Sequence, residues 1–208
     1  MAKSSDRKAM ANRVLDAALE LGLRHPKHEV AVEAIAEQAG MTFWQAYRCF
    51  SNQENMYRAA ISRLVTQIES DLEGAPRDAH TVLEAIRLYV RFAAQWVQRD
   101  AYVRYIEIAM RDRQIEPFLE EAYERRILAR FKGGLKSIIR AAGARHGLVI
   151  LLPETAADSL LKSLETELVL PRLLPRFTEP AAETVEKITG RLAAQVMSAT
   201  YAVGSQAA

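Results

Sequence analysis

The segment AGMTFWQAYRCFSNQE, residues 39–54, contains the pattern that decides the fold of this chain. Gly40 is the kind of residue that commonly ends a helix, because glycine adopts the left-handed conformation without strain. Thr42 and Gln45 then have the S/T-x-x-E/Q spacing of a capping box, in which each side chain bonds the backbone of the other residue at the start of a helix. The segment therefore predicts a helix that ends at Gly40 and a very short new helix over residues 43–50.

The flanking residues extend this pattern. Apolar residues recur every three or four positions over about Asp6–Leu21 and about Val32–Ala39, which predicts a helix in each range. Ser51 and Glu54 repeat the capping-box spacing before a further helix predicted over about 52–72. A short helix, a glycine turn and a second short helix form a helix-turn-helix, whose second helix enters the major groove of DNA.

The predicted helix over residues 43–50 has two faces. The face that packs on the preceding helices consists of Ala46, Cys49 and Phe50. The opposite face contains Trp44, Gln45 and Arg48, which we expect to point outward. The candidate DNA-binding residues are Thr42, Phe43, Trp44, Gln45, Tyr47 and Arg48.

Three interpretations of Trp44 remain open at the level of sequence. It contacts an apolar group in the DNA groove, such as a thymine methyl, or it stacks on Arg48 one turn later. Alternatively, it packs against the first helix or a neighbouring loop, as buried aromatic residues do. For Tyr47 we expect a ring that lies against the core and a hydroxyl that reaches a phosphate.

Taken together, these residues resemble the tetracycline-repressor (TetR) family of ligand-responsive transcriptional repressors. The resemblance covers about the first 60 residues, and beyond them only length and helical layout agree. It implies an all-α protein with a three-helix DNA-binding head, a helical body with a ligand pocket, and a homodimer. The residues that carry it are Arg13, Ala17, Ala18, Ile35, Ala36, Ala39, Gly40, Tyr47, Phe50 and Ser51.

The chain departs from the family pattern at three positions. Ala31 stands where the family usually has a threonine that caps the second helix and contacts phosphate. Trp44 stands where a small residue usually allows the recognition helix to approach DNA, and Gln53 replaces the lysine expected before Glu54. At least two routine phosphate contacts are therefore missing.

Charge is distributed unevenly along the head. The formal net charge is +2 for the whole chain, and residues 1–50 carry a balance of only +1. The N-terminal arm, residues 1–13, has a formal net charge of +3. It contains one acid, Asp6, and four basic residues, Lys3, Arg7, Lys8 and Arg13. Cations at the arm favour contact with the phosphate backbone, which accounts for most nonspecific affinity for DNA.

Composition excludes several other classes of protein. The single cysteine, Cys49, forbids an internal disulfide and is typical of a reducing compartment. The longest apolar run, Leu148–Leu152, is far shorter than the roughly 20 residues of a membrane span, so we expect a cytoplasmic protein. No nucleophile motif, glycine-rich phosphate loop or metal-ligand cluster is recognisable. We therefore expect no catalytic residues, no cofactor and no metal.

The remaining chain is predicted to form the body. The expected division is a head over residues 1–54, a connecting helix over about 52–72, and a ligand-binding and dimerisation domain over residues 75–208. Helices are predicted over about His80–Gln98, Ala101–Asp112 and Pro117–Ala142, the last with a possible bend at Gly133 and Gly134. These body helices contain aromatic residues with polar groups, a methionine and a charged residue. This composition is typical of a ligand pocket with apolar and polar walls, and it is equally typical of an ordinary helical core. The candidate ligand-binding residues are Trp96, Tyr102, Tyr105, Glu107, Met110 and Phe118.

Two further helices, Glu154–Leu170 and Pro180–Val203, have wide apolar stripes. Two copies of such a pair form a four-helix bundle across a two-fold axis. The candidate dimer-interface residues are Leu160, Leu164, Leu168, Ile188, Leu192 and Val196.

The sequence thus predicts a homodimeric regulator, most simply a repressor, that binds a palindromic double-stranded operator and is released by an apolar or mixed small-molecule effector. A different class remains open, because Ala31, Trp44 and Gln53 depart from the family. In that alternative the protein is a small-molecule-binding dimer, or an enzyme, that kept the scaffold and lost operator binding.

Overall fold

A computed structural model of the protein describes residues 2–26, 29–112, 114, 116–175 and 177–204. The described chain is all-α apart from one pair of short strands, so the predicted fold class is confirmed. The α-helices are α1 (Ala2–Arg24), α2 (Val32–Gln38), α3 (Phe43–Cys49), α4 (Gln53–Leu72), α5 (Val82–Trp96), α6 (Asp100–Asp112), α7 (Pro117–Ala122), α8 (Ala129–Ala144), α9 (Glu154–Leu164) and α10 (Ala182–Ser198).

The chain folds as two compact units, which are described separately. The first unit comprises Met1–Gln67 and Arg104–Ala122, and the second comprises Ile68–Val103 and Tyr123–Ala208. Among the described residues no helix is long and apolar enough to cross a membrane.

In the first unit, α1, α2 and α3 pack on one another around a small apolar core. Val14, Ile35 and Ala46 are buried at its centre, as the helical spacing predicts. Gly40 has φ +63°, so the chain turns between α2 and α3 in the left-handed region that favours glycine. This turn sets the short α3 against α1 with its outer face free.

The second unit is built on α5, which packs against α8 and α10. Tyr89 of α5 is fully buried and donates a hydrogen bond to the Phe131 carbonyl at 2.7 Å. A Cβ at Gly134 would lie 2.5 Å from the Tyr89 hydroxyl, so glycine is required for this close approach. α8 continues through Gly133 and Gly134 without a break, and a bend there stays a prediction.

Two predicted long helices are interrupted by π-helical segments. Tyr123–Leu128 is π-helical between α7 and α8. Glu165–Val169 is π-helical after α9 and is followed by a 3-10 turn, Leu170–Leu173. A π-segment inserts extra backbone into a helix and turns the side chains there by a fraction of a turn, and such segments are frequent at functional sites.

The chain also contains two short strands, which the helical periodicity of the sequence does not predict. Leu148–Leu151 forms β1 and Tyr201–Gly204 forms β2, and the two pair antiparallel with Ile150 opposite Ala202. Only Ile150 of β1 is buried, and β1 packs on α8. The apolar run noted in the sequence is thus a strand that closes one side of the second unit.

Candidate functional site

The start of α3 is fixed by the capping box that the sequence predicts. The Oγ1 atom of Thr42 accepts a hydrogen bond from the backbone N–H of Gln45 at 3.3 Å. In return, Oε1 of Gln45 accepts from the Thr42 backbone N–H at 2.9 Å and from the Thr42 hydroxyl at 3.1 Å. These reciprocal bonds satisfy backbone donors that a helix otherwise leaves without partners. A helix of only seven residues therefore begins at a defined position.

Three aromatic side chains form the outer face of α3. The rings of Phe43 and Tyr47 are stacked with centroids 5.5 Å apart, and Trp44 meets their edges at 5.3 and 6.4 Å. Trp44 is 70% exposed and Tyr47 is 41% exposed. The interpretation of Trp44 as a core residue is therefore wrong. We call these three residues the aromatic surface of α3.

Beside the aromatic surface lies an open cleft of about 470 Å³ between α1 and α3. Arg7 of α1 and Arg48 of α3 are both exposed and line this cleft, so cations from two helices converge on it. Asp6 is the acid that lines it with them. The sequence places Arg7 in the basic arm but does not select it as a contact, because the arm's charge alone does not say which side of α1 faces α3. The side chain of Lys3, also in that arm, lies outside the described residues.

The two other departures from the family pattern have local structural outcomes. Ala31 is the N-cap of α2 and makes no side-chain cap hydrogen bond. The amide of Gln53 donates to the carbonyl of Val30, so this side chain bonds the loop before α2. The cap observed at α4 is Asn52, whose Oδ1 accepts from the Asn55 N–H at 2.7 Å. The sequence predicts Ser51, one position earlier, as this cap.

An ion pair between neighbouring residues of α6, which no sequence pattern singles out, also contacts α1 and α4 within the first unit. Asp112 is 1% exposed and accepts hydrogen bonds from Arg111 at 2.9 Å and from the Tyr57 hydroxyl at 2.8 Å. Arg111 also donates to the carbonyls of Gly22 and Leu23, at the C-terminal end of α1. A cation there is favoured by the helix dipole, and its hydrogen bonds with Asp112 raise the pKa of Arg111.

The candidate ligand-binding residues are divided between the two units. Tyr105, Glu107, Met110 and Phe118 belong to the first unit, where Tyr105 is buried and donates to the Leu119 carbonyl. Phe118 lies edge-on to Tyr57 at 6.0 Å. Met110 is 60% exposed and Glu107 is exposed, so both side chains lie at the surface.

Trp96 and Tyr102 belong to the second unit, where the structure brings them together. Their rings meet at 4.6 Å, and Trp96 also stacks on Phe131 at 5.8 Å. The Trp96 indole N–H donates to the Ile68 carbonyl at 3.2 Å. Both side chains are buried, so they form part of the core of this unit.

A polar cluster that sequence reasoning missed adjoins this core. The hydroxyls of Tyr102 and Tyr123 both donate to Oε1 of Glu165, at 2.6 and 2.8 Å. Burial raises the pKa of the Glu165 carboxyl, and burial also raises the pKa of Tyr102. Tyr123 and Glu165 are the first residues of the two π-segments. Glu165 could have been noticed as an acid that interrupts an apolar stripe.

The candidate dimer-interface residues are mostly buried within the protomer, and their place in a subunit interface stays a prediction. Leu160, Leu164, Leu168, Leu192 and Val196 are buried in the second unit, and Ile188 is half-buried. Leu160, Leu192 and Val196 also line an open groove of about 460 Å³ along α9 and α10. Its lining includes the small or polar residues Ala156, Ser159, Ser163, Gln195 and Ala199.

Known structures share this arrangement over almost the whole chain. A structure named "Flavonoid-responsive Regulator FrrA" superposes with a TM-score of 0.70 at 22% identity, covering 96% of this chain and 100% of that one. A TetR-family transcriptional regulator from Pseudomonas syringae pv. tomato gives a TM-score of 0.68 at 12% identity, covering 91% and 95%. The fold is that of TetR-family regulators.

Salmonella enterica GusR also superposes on this chain, with a TM-score of 0.65 at 15% identity over 91% of this chain and 94% of that one. No protein-family model matches the chain, and no curated protein matches it in sequence. The resemblance seen in the first 60 residues is thus confirmed as a likeness of fold that reaches far beyond them. In this TetR fold, α3 stands in the position of the second helix of the helix-turn-helix.

Proposed function

We propose that the protein is a TetR-type transcriptional regulator that binds a palindromic DNA operator as a homodimer and represses transcription until a small molecule releases it. The observation that carries the proposal is the exposed α3, whose aromatic surface adjoins a cleft lined by Arg7 and Arg48. Base contacts supply sequence specificity and cations supply backbone affinity, and this surface offers both.

The cleft offers a replacement for the phosphate contacts that are missing at Ala31 and Gln53. Arg7 and Arg48 are exposed and belong to two helices, so each can neutralise a separate phosphate. The hydroxyl of the half-exposed Tyr47 adds a neutral donor on the same helix as Arg48. This combination favours the regulator over the alternative of a binding protein that has lost operator binding.

Effector control is proposed on the polar cluster of the second unit. Tyr102, Tyr123 and Glu165 combine two hydroxyls and a carboxyl beside the aromatic ring of Trp96. A ligand that prefers one conformation of the protein shifts its equilibrium by the difference between its affinities for the two states. In this proposal the body binds the small molecule without catalysing a reaction, and that binding controls the affinity for DNA.

The test is binding of the purified protein to the DNA upstream of its own coding sequence, measured against salt concentration. We expect specific binding at low salt and a linear fall of log affinity with log salt. Arg48→Ala should weaken all DNA sequences similarly and reduce the salt slope by about one unit per head, because one phosphate contact is lost.

The matched control is Arg140→Ala, since Arg140 is an exposed arginine of the second unit. It should leave both affinity and salt slope unchanged. Absence of any binding at low salt, where electrostatic affinity is greatest, would reject the regulator and favour the small-molecule-binding alternative.

A further inference from the structure

The polar side chains at the start of α3 are occupied by the helix itself. Oε1 of Gln45 accepts two hydrogen bonds from Thr42, and Oγ1 of Thr42 both donates to and accepts from Gln45. An amide reads adenine by accepting from N6 and donating to N7 at the same time. With its oxygen engaged in the capping box, Gln45 cannot present that pair without releasing the N-terminus of α3.

The side chain left free at this end of α3 is Trp44. It is the second residue of the helix and 70% exposed, and the N-terminal residues of a recognition helix are those that contact base edges. The rings of Phe43 and Tyr47 lie roughly perpendicular to the indole at 5.3 and 6.4 Å, which limits the orientations the indole can take. Trp44 is thus a large, apolar and partly preorganised surface.

We propose that Trp44 reads the 5-methyl group of a thymine in each operator half-site. This inference rests on the proposed function and adds the chemical feature that is recognised. The thymine methyl is the apolar group that a base pair presents in the major groove, so it is the complement of an apolar reader. Duplex DNA is the occupant of the aromatic surface because Arg7 and Arg48 line the adjoining cleft and complement the charge of its backbone.

The experiment uses a duplex recovered by repeated selection from a random pool with the full-length protein. Each thymine of the selected duplex is then replaced singly by uracil, which removes the methyl group and keeps every hydrogen-bonding atom. We expect one position in each half-site at which this change lowers affinity about fourfold, and about fifteenfold when both half-sites are changed, from the loss of one buried methyl per head.

Two variants assign the effect to Trp44. Trp44→Ala should bind thymine and uracil duplexes equally, with an unchanged salt slope and an unchanged melting temperature. Trp44→Phe should keep most of the discrimination, because an apolar ring remains. Equal affinity of Trp44→Phe for the two duplexes would show that an apolar ring at this position does not read the methyl group, and that result would overturn the proposal.

Failure of this inference is distinguishable from failure of the proposed function. If selection enriches no sequence, the protein is not a sequence-specific DNA-binding protein and both fall. If a sequence is enriched but replacement of thymine by uracil leaves the affinity unchanged at every position, only the reading by Trp44 is wrong. The reading by Trp44 is also wrong if Trp44→Ala retains the discrimination, since another residue must then contact the methyl.

Discussion

The two tryptophans of this chain lie in opposite environments. Trp96 is 1% exposed, stacks on Phe131 and donates its N–H to the carbonyl of Ile68. Trp44 is 70% exposed and touches only the aromatic edges of its own helix among the ring contacts described. A buried ring with a satisfied N–H stabilises the unit that contains it. An exposed ring of the same size contributes little to stability and is accessible for the DNA contact proposed above.

The helix α9 likewise has one buried and one exposed side. Substitutions on these two sides should give the largest difference in stability. Leu164 is fully buried, whereas Ser159 is exposed in the groove beside it. Leu164→Glu should lower the free energy of unfolding by about 5 kcal/mol or more, because it removes packing and buries an unpaired charge. Ser159→Glu should leave the fold intact and weaken the proposed homodimer. Urea unfolding and sedimentation velocity measure the two properties separately.

A folded Leu164→Glu monomer would show that this position belongs to the subunit interface, as the sequence alone suggested. Wild-type monomers at micromolar concentration would instead reject the proposed homodimer. Ser159→Ala is the matched control, because it keeps the groove uncharged and should remain a dimer.

The tryptophans themselves give the next effect. Trp96→Ala should lower the free energy of unfolding by about 3 to 5 kcal/mol, as expected for a large aromatic residue removed from a core. Trp44→Ala should change it by no more than about 0.5 kcal/mol, which is usual for an exposed position. Chemical unfolding followed by circular dichroism measures both variants. An equal decrease in the free energy of unfolding of the two variants would show that both tryptophans stabilise the fold to the same extent.

The smallest effect concerns the pH dependence of stability through Glu165. Its pKa is raised in the folded protein, so the folded state binds the proton more tightly than the unfolded state. Stability from this group is therefore lost as the pH rises from the ordinary carboxyl range, about 4 to 5, through the raised pKa.

Glu165→Gln removes that titration and keeps an acceptor for the two tyrosine hydroxyls. Its melting temperature should equal or exceed that of the wild type at pH 8, and the difference should shrink towards pH 4. Glu120→Gln, at an exposed glutamate, serves as the control. A difference between wild type and Glu165→Gln that grows towards low pH would show that the pKa shift has the opposite sign.

Local signals predicted the helix-turn-helix well. The capping box of Thr42 and Gln45 and the left-handed Gly40 depend on residues within a few positions of one another, so spacing alone specifies them. The outward placement of Trp44 followed from the same helical geometry, because Ala46 fixed which face of α3 is buried.

Features that depend on distant residues could not be predicted in the same way. The strand Leu148–Leu151 is short and forms only through pairing with residues 201–204. Leu164 looks the same in sequence whether it packs within a protomer or between two, since cores and interfaces use the same apolar residues. The cluster of Tyr102, Tyr123 and Glu165 depends on two π-segments, and the spacing of apolar residues in the sequence does not predict them.

The capping box has an evolutionary consequence. Thr42 and Gln45 hold the N-terminus of α3 by themselves, while Trp44 between them carries no part of that task. If α3 reads the operator as proposed, substitution at position 44 changes which DNA is preferred without a penalty in folding. After gene duplication, a lineage with this helix could acquire a new target through one codon, with selection acting on recognition alone.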